Sequence, residues 1–481
     1  MRRDAGWGVA VIGLAIMVAA EPRVGIACAF GILAAVVWTW PDLFIQVTVF
    51  GVLAVRPSLD VFSDRDFGVG PFTLNPAVIF GLCVLLVATV LFVRRARYGA
   101  QLWPVSGLLA AHFWLATAYV IALTSGWLFY SSLGLATGTR EAIRMLSILA
   151  SFWLITVWVN EDPRRYGPGW TYLILGSLSP ITLGLWQLLS GTGYVEPDGL
   201  TRLRATFSHP NSFGPYLVPL LLLAIAKAAS LRGRKQAPYF AAALVSGTLI
   251  VFTYSRTAML AAIVGLAVLP ILQARHLGAR FMARGLLAAM CFLGVSWVLA
   301  GDIIRSRFQD ISFSKAAVEA AQSGESENSF QWRLINWGVL VSLGTEHPLI
   351  GHGAGMTMVL NPLVSPVNGV PFNAHNDFVR WFFEGGALGL SCYLLYCVLL
   401  CRWAVREARR IGRTHSATAF ATAAAWLALL LLSGGTPEIS LQTAVQYQLY
   451  GLLALLSVGH IVHVIEHQPE GHKSASAPQR P

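Results

Sequence analysis

Three short stretches of this chain hold the residue types from which a reaction site can be built. In Asn373-Ala374-His375-Asn376-Asp377 a histidine stands where a polar stretch gives way to the apolar run beginning at Phe378. Imidazole titrates near ~6.5, so His375 suits proton removal from a hydroxyl near neutral pH, with Asn376 or Asp377 to orient the ring. In Thr201-Arg202-Leu203-Arg204-Ala205-Thr206-Phe207-Ser208-His209-Pro210-Asn211 two arginines precede an apolar run from Phe213. Ser208 or Asn211 is suited to cap the following helix and Pro210 to its first turn. A guanidinium beside free helix N–H groups makes a candidate anion site, with His209 and Asn211 in support. The plainer alternative is an interfacial loop whose arginines touch lipid headgroups. Tyr254-Ser255-Arg256-Thr257 leaves an arginine between two apolar runs with almost no polar loop, so Arg256 must snorkel, pair or bind a ligand. Arg380 and Glu384 are spaced i, i+4 and are expected to pair on one helix face, a structural contribution.

The elements that must position these residues are apolar. Of 481 residues, 56% are hydrophobic and only 12% charged, where a soluble domain carries about 25% charged. The apolar residues fall in runs that approach the ~20 needed to cross a bilayer as a helix. This excludes a string of soluble domains, a disordered chain and a collagen-like one. Runs lie near 6–21, 24–39, 42–55, 73–93, 104–124, 142–160, 169–190, 213–229, 239–254, 257–273, 285–301, 375–401, 417–435 and 441–464. Two pairs of runs nearly touch, so the expectation is an all-α, polytopic membrane protein with 12–14 transmembrane helices and one large, partly helical outward loop.

The net charge of +11 sits mostly in short loops on alternate sides of these runs, which is the positive-inside pattern and not a nucleic-acid patch. It orients both termini to the cytosol and turns segments 56–72, 125–141, 191–212 and 302–374 outward, so the three chemical stretches share the outer side. Within 302–374, residues 331–345 have helical apolar spacing with Trp332 and Trp337 and read as a cap on the outer membrane interface. Met1-Arg2-Arg3 before an apolar run imitates a signal peptide, but a second span follows at once, so an uncleaved first helix is expected. The organisation expected is N-terminal helices over 1–190, a core over 191–401 that includes the outward loop 302–374, C-terminal helices over 402–464 and a cytosolic disordered tail over 465–481. Other motifs have bland readings. Asp64-Arg65-Asp66 lies in an outward loop without nucleotide sugars, and Gly351-His352-Gly353-Ala354-Gly355 lacks the strand–helix unit of a dinucleotide site and reads as a glycine-bent loop. His460, His463 and His467 read as a wetted helix end, and the six cysteines form no CxxC pair, so no metal site or disulfide framework is expected.

Taken in order, Arg204-Ala-Thr-Phe-Ser-His-Pro-Asn211, Ser255-Arg256-Thr257, Pro348-Leu-Ile-Gly351-His-Gly353, and His375-Asn376-Asp377 with Glu384-Gly385-Gly386-Ala-Leu-Gly389 resemble the O-antigen ligase and O-antigen polymerase family over residues 190–400. The resemblance implies a metal-independent, inverting glycosyltransferase without cofactor at the outer face of the cytoplasmic membrane. It would take a glycan from a polyprenyl-diphosphate carrier and pass it to a hydroxyl on a glycan, lipid or protein acceptor. It implies that Arg204 and Arg256 hold the diphosphate, with Arg202 competing for the role of Arg204, and that His375 deprotonates the acceptor. The partners are then the lipid-linked donor, the acceptor and the bilayer, with no nucleic acid. A transporter should instead show a repeat and helices broken near the midplane. A flippase of lipid-linked glycans would need the arginines but not His375. Ligase and polymerase share these motifs.

Overall fold

The computed structural model describes residues 22–62, 67–69, 72–103, 108–196, 199–231, 233–277, 329–364, 369, 371–410, 416–433 and 442–466, with scattered positions in 290–301. The expected span at 6–21, Asp64-Arg65-Asp66, most of 285–328, the tail and the side chains of His460, His463 and His467 lie outside the described residues.

The fold is all-α. Each apolar run within the described residues forms a helix: α1 Pro22–Thr39, α2 Pro41–Phe50, α3 Pro76–Arg97, α4 Leu109–Glu161, α5 Tyr166–Ser190, α6 Pro210–Ser230, α7 Ala237–Phe252, α8 Arg256–Leu277, α11 Asp377–Arg410, α12 Ser416–Leu432 and α13 Thr443–Glu466. Between α8 and α11 lie α9 Ser329–Gly344, over the expected cap helix, and the single turn α10 Thr357–Leu360. Seven helical stretches among the described residues are long and apolar enough to cross a membrane. Two small antiparallel hairpins interrupt them, β1 Phe67–Val69 with β2 Phe72–Leu74 and β3 Tyr194–Val195 with β4 Thr201–Arg202.

Local signals set the helix ends. Asn75 accepts a hydrogen bond from Val78 N–H with Pro76 in the first turn of α3, whose last turn carries Arg94, Arg95 and Arg97 against the helix dipole. Gly191 ends α5 at φ 66°. The alanines of α12, with Ala421, Ala423, Ala424, Ala425 and Ala428 all fully buried, let that helix lie close against α6 and α8. A helix that is apolar all round belongs inside, and α13 is likewise buried along its described side chains.

Two helices reverse where the apolar pattern runs on. The segment 125–141, expected as an outward connection, is helical apart from Ser131 (φ 49°, ψ −122°), where α4 folds back on itself. The two arms touch so closely that a Cβ on Gly134 would lie 2.0 Å from the carbonyl oxygen of Gly126. The run 375–401, expected as one span, is broken at Gly386 (φ 63°, ψ −164°). Its first arm, 377–385, is about 13 Å long at 1.5 Å per residue, too short to cross a bilayer. It folds back until Trp381 stacks on Tyr393 at 5.3 Å and Asp377 Oδ2 accepts from Tyr393 O–H at 3.1 Å.

A reversal deep in a bundle leaves backbone groups that must find partners. The loop 347–356 supplies them. Its His352 and Gly353 N–H groups donate to Phe383 and Glu384 carbonyls (both 2.8 Å), Pro348 O accepts from Ala387 N–H (2.8 Å), and Ala354 N–H donates to Ala122 O (3.1 Å). Gly351, Gly353 and Gly355 take φ of 67°, 114° and 75°, as a glycine-bent loop requires, and a Cβ on Gly351 would sit 2.5 Å from the Glu384 carbonyl carbon. The loop thereby joins the α4 and α11 reversals into one end of the bundle, the end that carries His375.

Candidate active site

The stretches around Arg204 and Arg256 are tied main chain to main chain. Leu203 N–H donates to Phe252 O at 3.2 Å, and Arg202 Nε donates to Thr253 O at 2.8 Å. Both turns are tight, with Ala205 and Tyr254 at φ of 49° and 47°, a region that non-glycine residues occupy at a cost. Gln187 of α5 holds the first turn, its Oε1 accepting from Arg204 N–H (3.1 Å) and Ala205 N–H (2.9 Å). Behind the second, a Cβ on Gly214 would come 2.6 Å from that of Ala258, so α6 and α8 start almost in contact.

The two candidate arginines of the first stretch have different surroundings. Arg202 is buried and its guanidinium is spent in three directions: Nε on Thr253 O, Nη1 on Glu196, and Nη2 on Asn211 Oδ1 at 2.9 Å. It clamps the β3–β4 hairpin to the start of α6 and the α7–α8 turn. Arg204 is half-buried, and no hydrogen bond or ion pair holds its guanidinium among the described residues. Arg256, also half-buried, is the first residue of α8. Pro210 stands in the first turn of α6 as expected, but the cap is neither Ser208 nor Asn211. His209 caps α6, its Nδ1 accepting from Asn211 N–H at 3.1 Å, while the Asn211 side chain is drawn to Arg202.

His375 sits in a bend just before α11 that α9 holds in place. Asn336 Nδ2 donates to Asn373 O (2.9 Å) and Trp337 Nε1 to Ala374 O (2.7 Å); Asn361 Nδ2 bridges Asn336 Oδ1 (2.8 Å) and Phe372 O (2.7 Å). His375 itself has φ 48° with its N–H on Asn373 Oδ1 at 2.8 Å, and the Trp332 ring stands edge-on to its imidazole at 5.7 Å. Desolvation pushes the His375 imidazole down to about 3, and the positive charge of Arg333 and the nearby His209 push the same way. His209 is pushed down to about 4, by burial first, then by Arg202, with Glu196 opposing and Arg333 and Arg204 adding. Arg333 thus acts on both imidazoles, and Arg204 on His209. Both imidazoles are uncharged there at neutral pH and have an acceptor nitrogen.

Beneath His375 the expected ring-orienting residues make other contacts. Asn376 Oδ1 caps α11, accepting from Phe378 N–H (2.9 Å) and Val379 N–H (3.2 Å), and Asp377 accepts from Tyr393 O–H. Arg380 and Glu384 pair as their spacing predicts, Nε to Oε1 at 3.1 Å. The pair extends to residues that their own helix does not announce. Arg380 Nη2 reaches Glu141 Oε2 at 3.0 Å, Arg144 pairs with the same oxygen at 2.5 Å, and Thr357 O–H donates to Glu384 at 2.7 Å.

Arg333 is the site residue that the sequence did not single out. It lies within the helical segment read as a cap, and nothing in its spacing ties it to His375, 42 positions away in the chain.

Residues 241–394 match the family described as O-antigen ligase. The matched segment runs from α7 through the reversal of α11 and takes in Arg256, Arg333, His375, Arg380 and Glu384, while Arg202 and Arg204 precede it. A comparison with curated proteins finds no match. The match makes this segment similar to the O-antigen ligase family, and with the membrane-spanning helices it supports a multi-pass inner-membrane protein.

Proposed function

We propose that this protein moves a glycan from a polyprenyl-diphosphate carrier to an acceptor hydroxyl, at the outer face of the inner membrane, by a metal-independent inverting displacement. The observation that carries this reading is the main-chain tie that sets the Arg204 and Arg256 turns side by side, Leu203 N–H on Phe252 O at 3.2 Å, with the neutral His375 imidazole under the electrostatic influence of His209 from the start of α6. In that arrangement Arg204 and Arg256 bind the diphosphate. As the anomeric C–O bond breaks, negative charge grows on the leaving phosphate, where guanidinium groups stabilise it most. On the opposite face of the sugar the acceptor oxygen forms the new bond to the anomeric carbon, and its proton passes to the neutral His375 imidazole. Attack opposite the leaving group inverts the anomeric centre. Because Arg202 is engaged on three sides, the diphosphate role goes to Arg204, and Arg202 keeps its turn in place.

An O-antigen ligase and a surface-polysaccharide polymerase both run this chemistry and differ in the acceptor. The test is to incubate purified protein with lipid-linked glycan and candidate acceptors and to analyse the product. Formation of a glycosidic bond of inverted configuration in the presence of chelator, lost in His375→Ala, is the expected result. Movement of lipid-linked glycan across vesicles with no new glycosidic bond would replace the transferase with a flippase.

A further inference from the structure

We propose that the far end of α11 holds an anionic phospholipid, in a cleft between α11 and α12 at the membrane face opposite His375. This site is independent of the glycan-transfer reading. The second arm of α11, residues 387–410, leaves the reversal at Gly386 and is about 36 Å long at 1.5 Å per residue, enough to cross a bilayer. Residues 402–410 therefore lie at the other membrane face. There α11 and α12 bound a cleft of about 560 Å³. Half-buried Cys401 and Val405 from α11 and Leu427 from α12 line it, and Arg402, Arg406, Arg409 and Arg410, all exposed, stand around it.

Depth decides what such a cleft can take. Cys401 lies about 14 Å along α11 from Arg410, and Leu427 about 16 Å along α12 from Ser416. These apolar side chains are thus at the level of acyl chains, while the arginines on their flexible stems reach up to the headgroups. An apolar floor beneath guanidinium groups fits a molecule with a phosphate at one end and hydrocarbon at the other. A soluble phosphate would make no use of the floor. The arginines are also placed as a binding face. Arg402, Val405, Arg406 and Arg409 are spaced i, i+3, i+4, i+7 and share one side of α11. Like charges at these spacings weaken a helix. Complementing the helix dipole accounts for Arg409 and Arg410 in the last turn, but not for Arg402, two turns earlier. Glu407 serves two of the four: it accepts from Arg410 Nη1 at 3.1 Å and stands 3.8 Å from Arg406 Nε. Arg402 and Arg409 have no hydrogen bond or ion pair among the described residues. The residues that follow, Ile411-Gly412-Arg413-Thr414-His415, add no acidic group. A lipid phosphate set between Arg402 and Arg406 relieves their repulsion, and its acyl chain covers Val405 and Leu427.

The experiment measures binding of phosphatidylglycerol to purified full-length protein in detergent by native mass spectrometry, against phosphatidylcholine of the same chain length. The parent should hold phosphatidylglycerol about tenfold more tightly, the scale of a charge-assisted contact. The Arg402→Gln, Arg406→Gln double variant should raise the Kd for phosphatidylglycerol about tenfold and leave that for phosphatidylcholine within about twofold. Because the two guanidinium groups repel each other, the lipid-free Tm of this variant should equal or exceed the parent's. Phosphatidylglycerol should then raise the Tm of the parent by more than that of the variant. Leu427→Trp fills the apolar floor with charge unchanged and should also weaken phosphatidylglycerol. The Arg234→Gln, Lys235→Gln double variant removes two exposed basic residues outside the cleft and should leave the Kd within about twofold. Equal affinity of the parent for the two lipids, or parent-like phosphatidylglycerol binding in the Arg402, Arg406 variant, overturns the inference. Equal losses in the Arg402, Arg406 and Arg234, Lys235 variants would reduce the effect to general surface attraction and overturn the site. Displacement of the lipid by glycerol phosphate at equal concentration would make this a site for soluble anions and overturn the lipid assignment.

Discussion

Two arginine clusters lie at the same end of the bundle, one centred on Arg380 in the first arm of α11 and one around His375 just before it, and their pairing differs. Below His375, Arg380 and Arg144 are met by Glu141 and Glu384, with Thr357 completing the hydrogen bonds on Glu384. Arg380 and Glu384 are each 2% exposed. Around His375, Arg204, Arg333 and Arg202 gather on two imidazoles with Glu196 as the opposing carboxylate, itself engaged by Arg202. The first cluster is matched within the chain and needs no ligand. The second holds two neutral histidines, and the Arg204 guanidinium there has no hydrogen bond or ion pair among the described residues. Among arginines near apolar helices, it is the charge balance of the surroundings that separates a structural role from a binding role, since burying an ion is costly unless something opposite accompanies it.

The sharpest way to break this comparison is to remove one residue from each cluster. His375→Ala should lower transfer by about 10²–10⁴-fold while the protein accumulates normally and still binds donor. Arg380→Ala should act on the fold: taking one partner from a buried pair costs about 3–5 kcal/mol, so the variant should accumulate poorly and unfold at lower temperature in detergent. Equal protein levels for both variants, with transfer lost only in Arg380→Ala, would reverse the assignment of the two clusters.

A finer cut runs inside the first turn. Arg204→Ala should lose about 10²-fold in transfer, the scale of one electrostatic donor removed from a developing anion, with its melting temperature unchanged. Arg202→Ala should lower the melting temperature, because Thr253 O, Glu196 and Asn211 lose a common partner. Parallel measurement of Tm and initial rate on the two variants decides it. The opposite pattern, a cold-stable Arg202 variant without activity, would move the diphosphate role two residues upstream.

These distinctions mark where the sequence stops being legible. Helices are readable because an apolar run of sufficient length in this composition has one outcome, and the described runs became helices. The reversals are not. Ser131 carries no glycine or proline signal, and Gly386 sits between two apolar stretches that together have the length of one span, so 375–401 reads as one span until Tyr393 is seen against Asp377. The i, i+4 pair Arg380–Glu384 is visible in the chain because it is local, whereas Glu141 becomes its partner only through the folding of α4 against α11. Arg202 and Arg204 have the same residue type two positions apart, and their difference lies in Glu196, Thr253 and Asn211, which spacing does not single out. His209 was legible as a polar residue near a helix start, but the expected cap was Ser208 or Asn211, since histidine is an uncommon cap.

The smallest effect concerns protons, and its sign follows from where the imidazoles titrate. Unfolded, His209 and His375 would titrate near ~6.5; folded, they are pushed down to about 4 and about 3. The folded protein thus binds fewer protons than the unfolded one across this interval. Stability is complete above about 6.5 and is lost as the pH falls from there toward the folded values. At pH 5.5 the loss is about 1.4 kcal/mol for each imidazole, before the partial exposure of both rings reduces it. His352, in the loop against the α11 reversal, is also held below its ordinary range, by burial first, so the part of the effect that belongs to the His375 site is the part that removing His209 and His375 abolishes. Thermal unfolding at pH 7.5 and 5.5 should therefore show a drop in Tm for the parent that is smaller in the His209→Gln, His375→Gln double variant. Polyprenyl diphosphate should also shrink the parent's drop, because a bound anion raises the proton affinity of both imidazoles. Identical drops in the parent and the double variant would mean that the two histidines are not held neutral by this site, and the contrast between the clusters would then rest on the arginines alone.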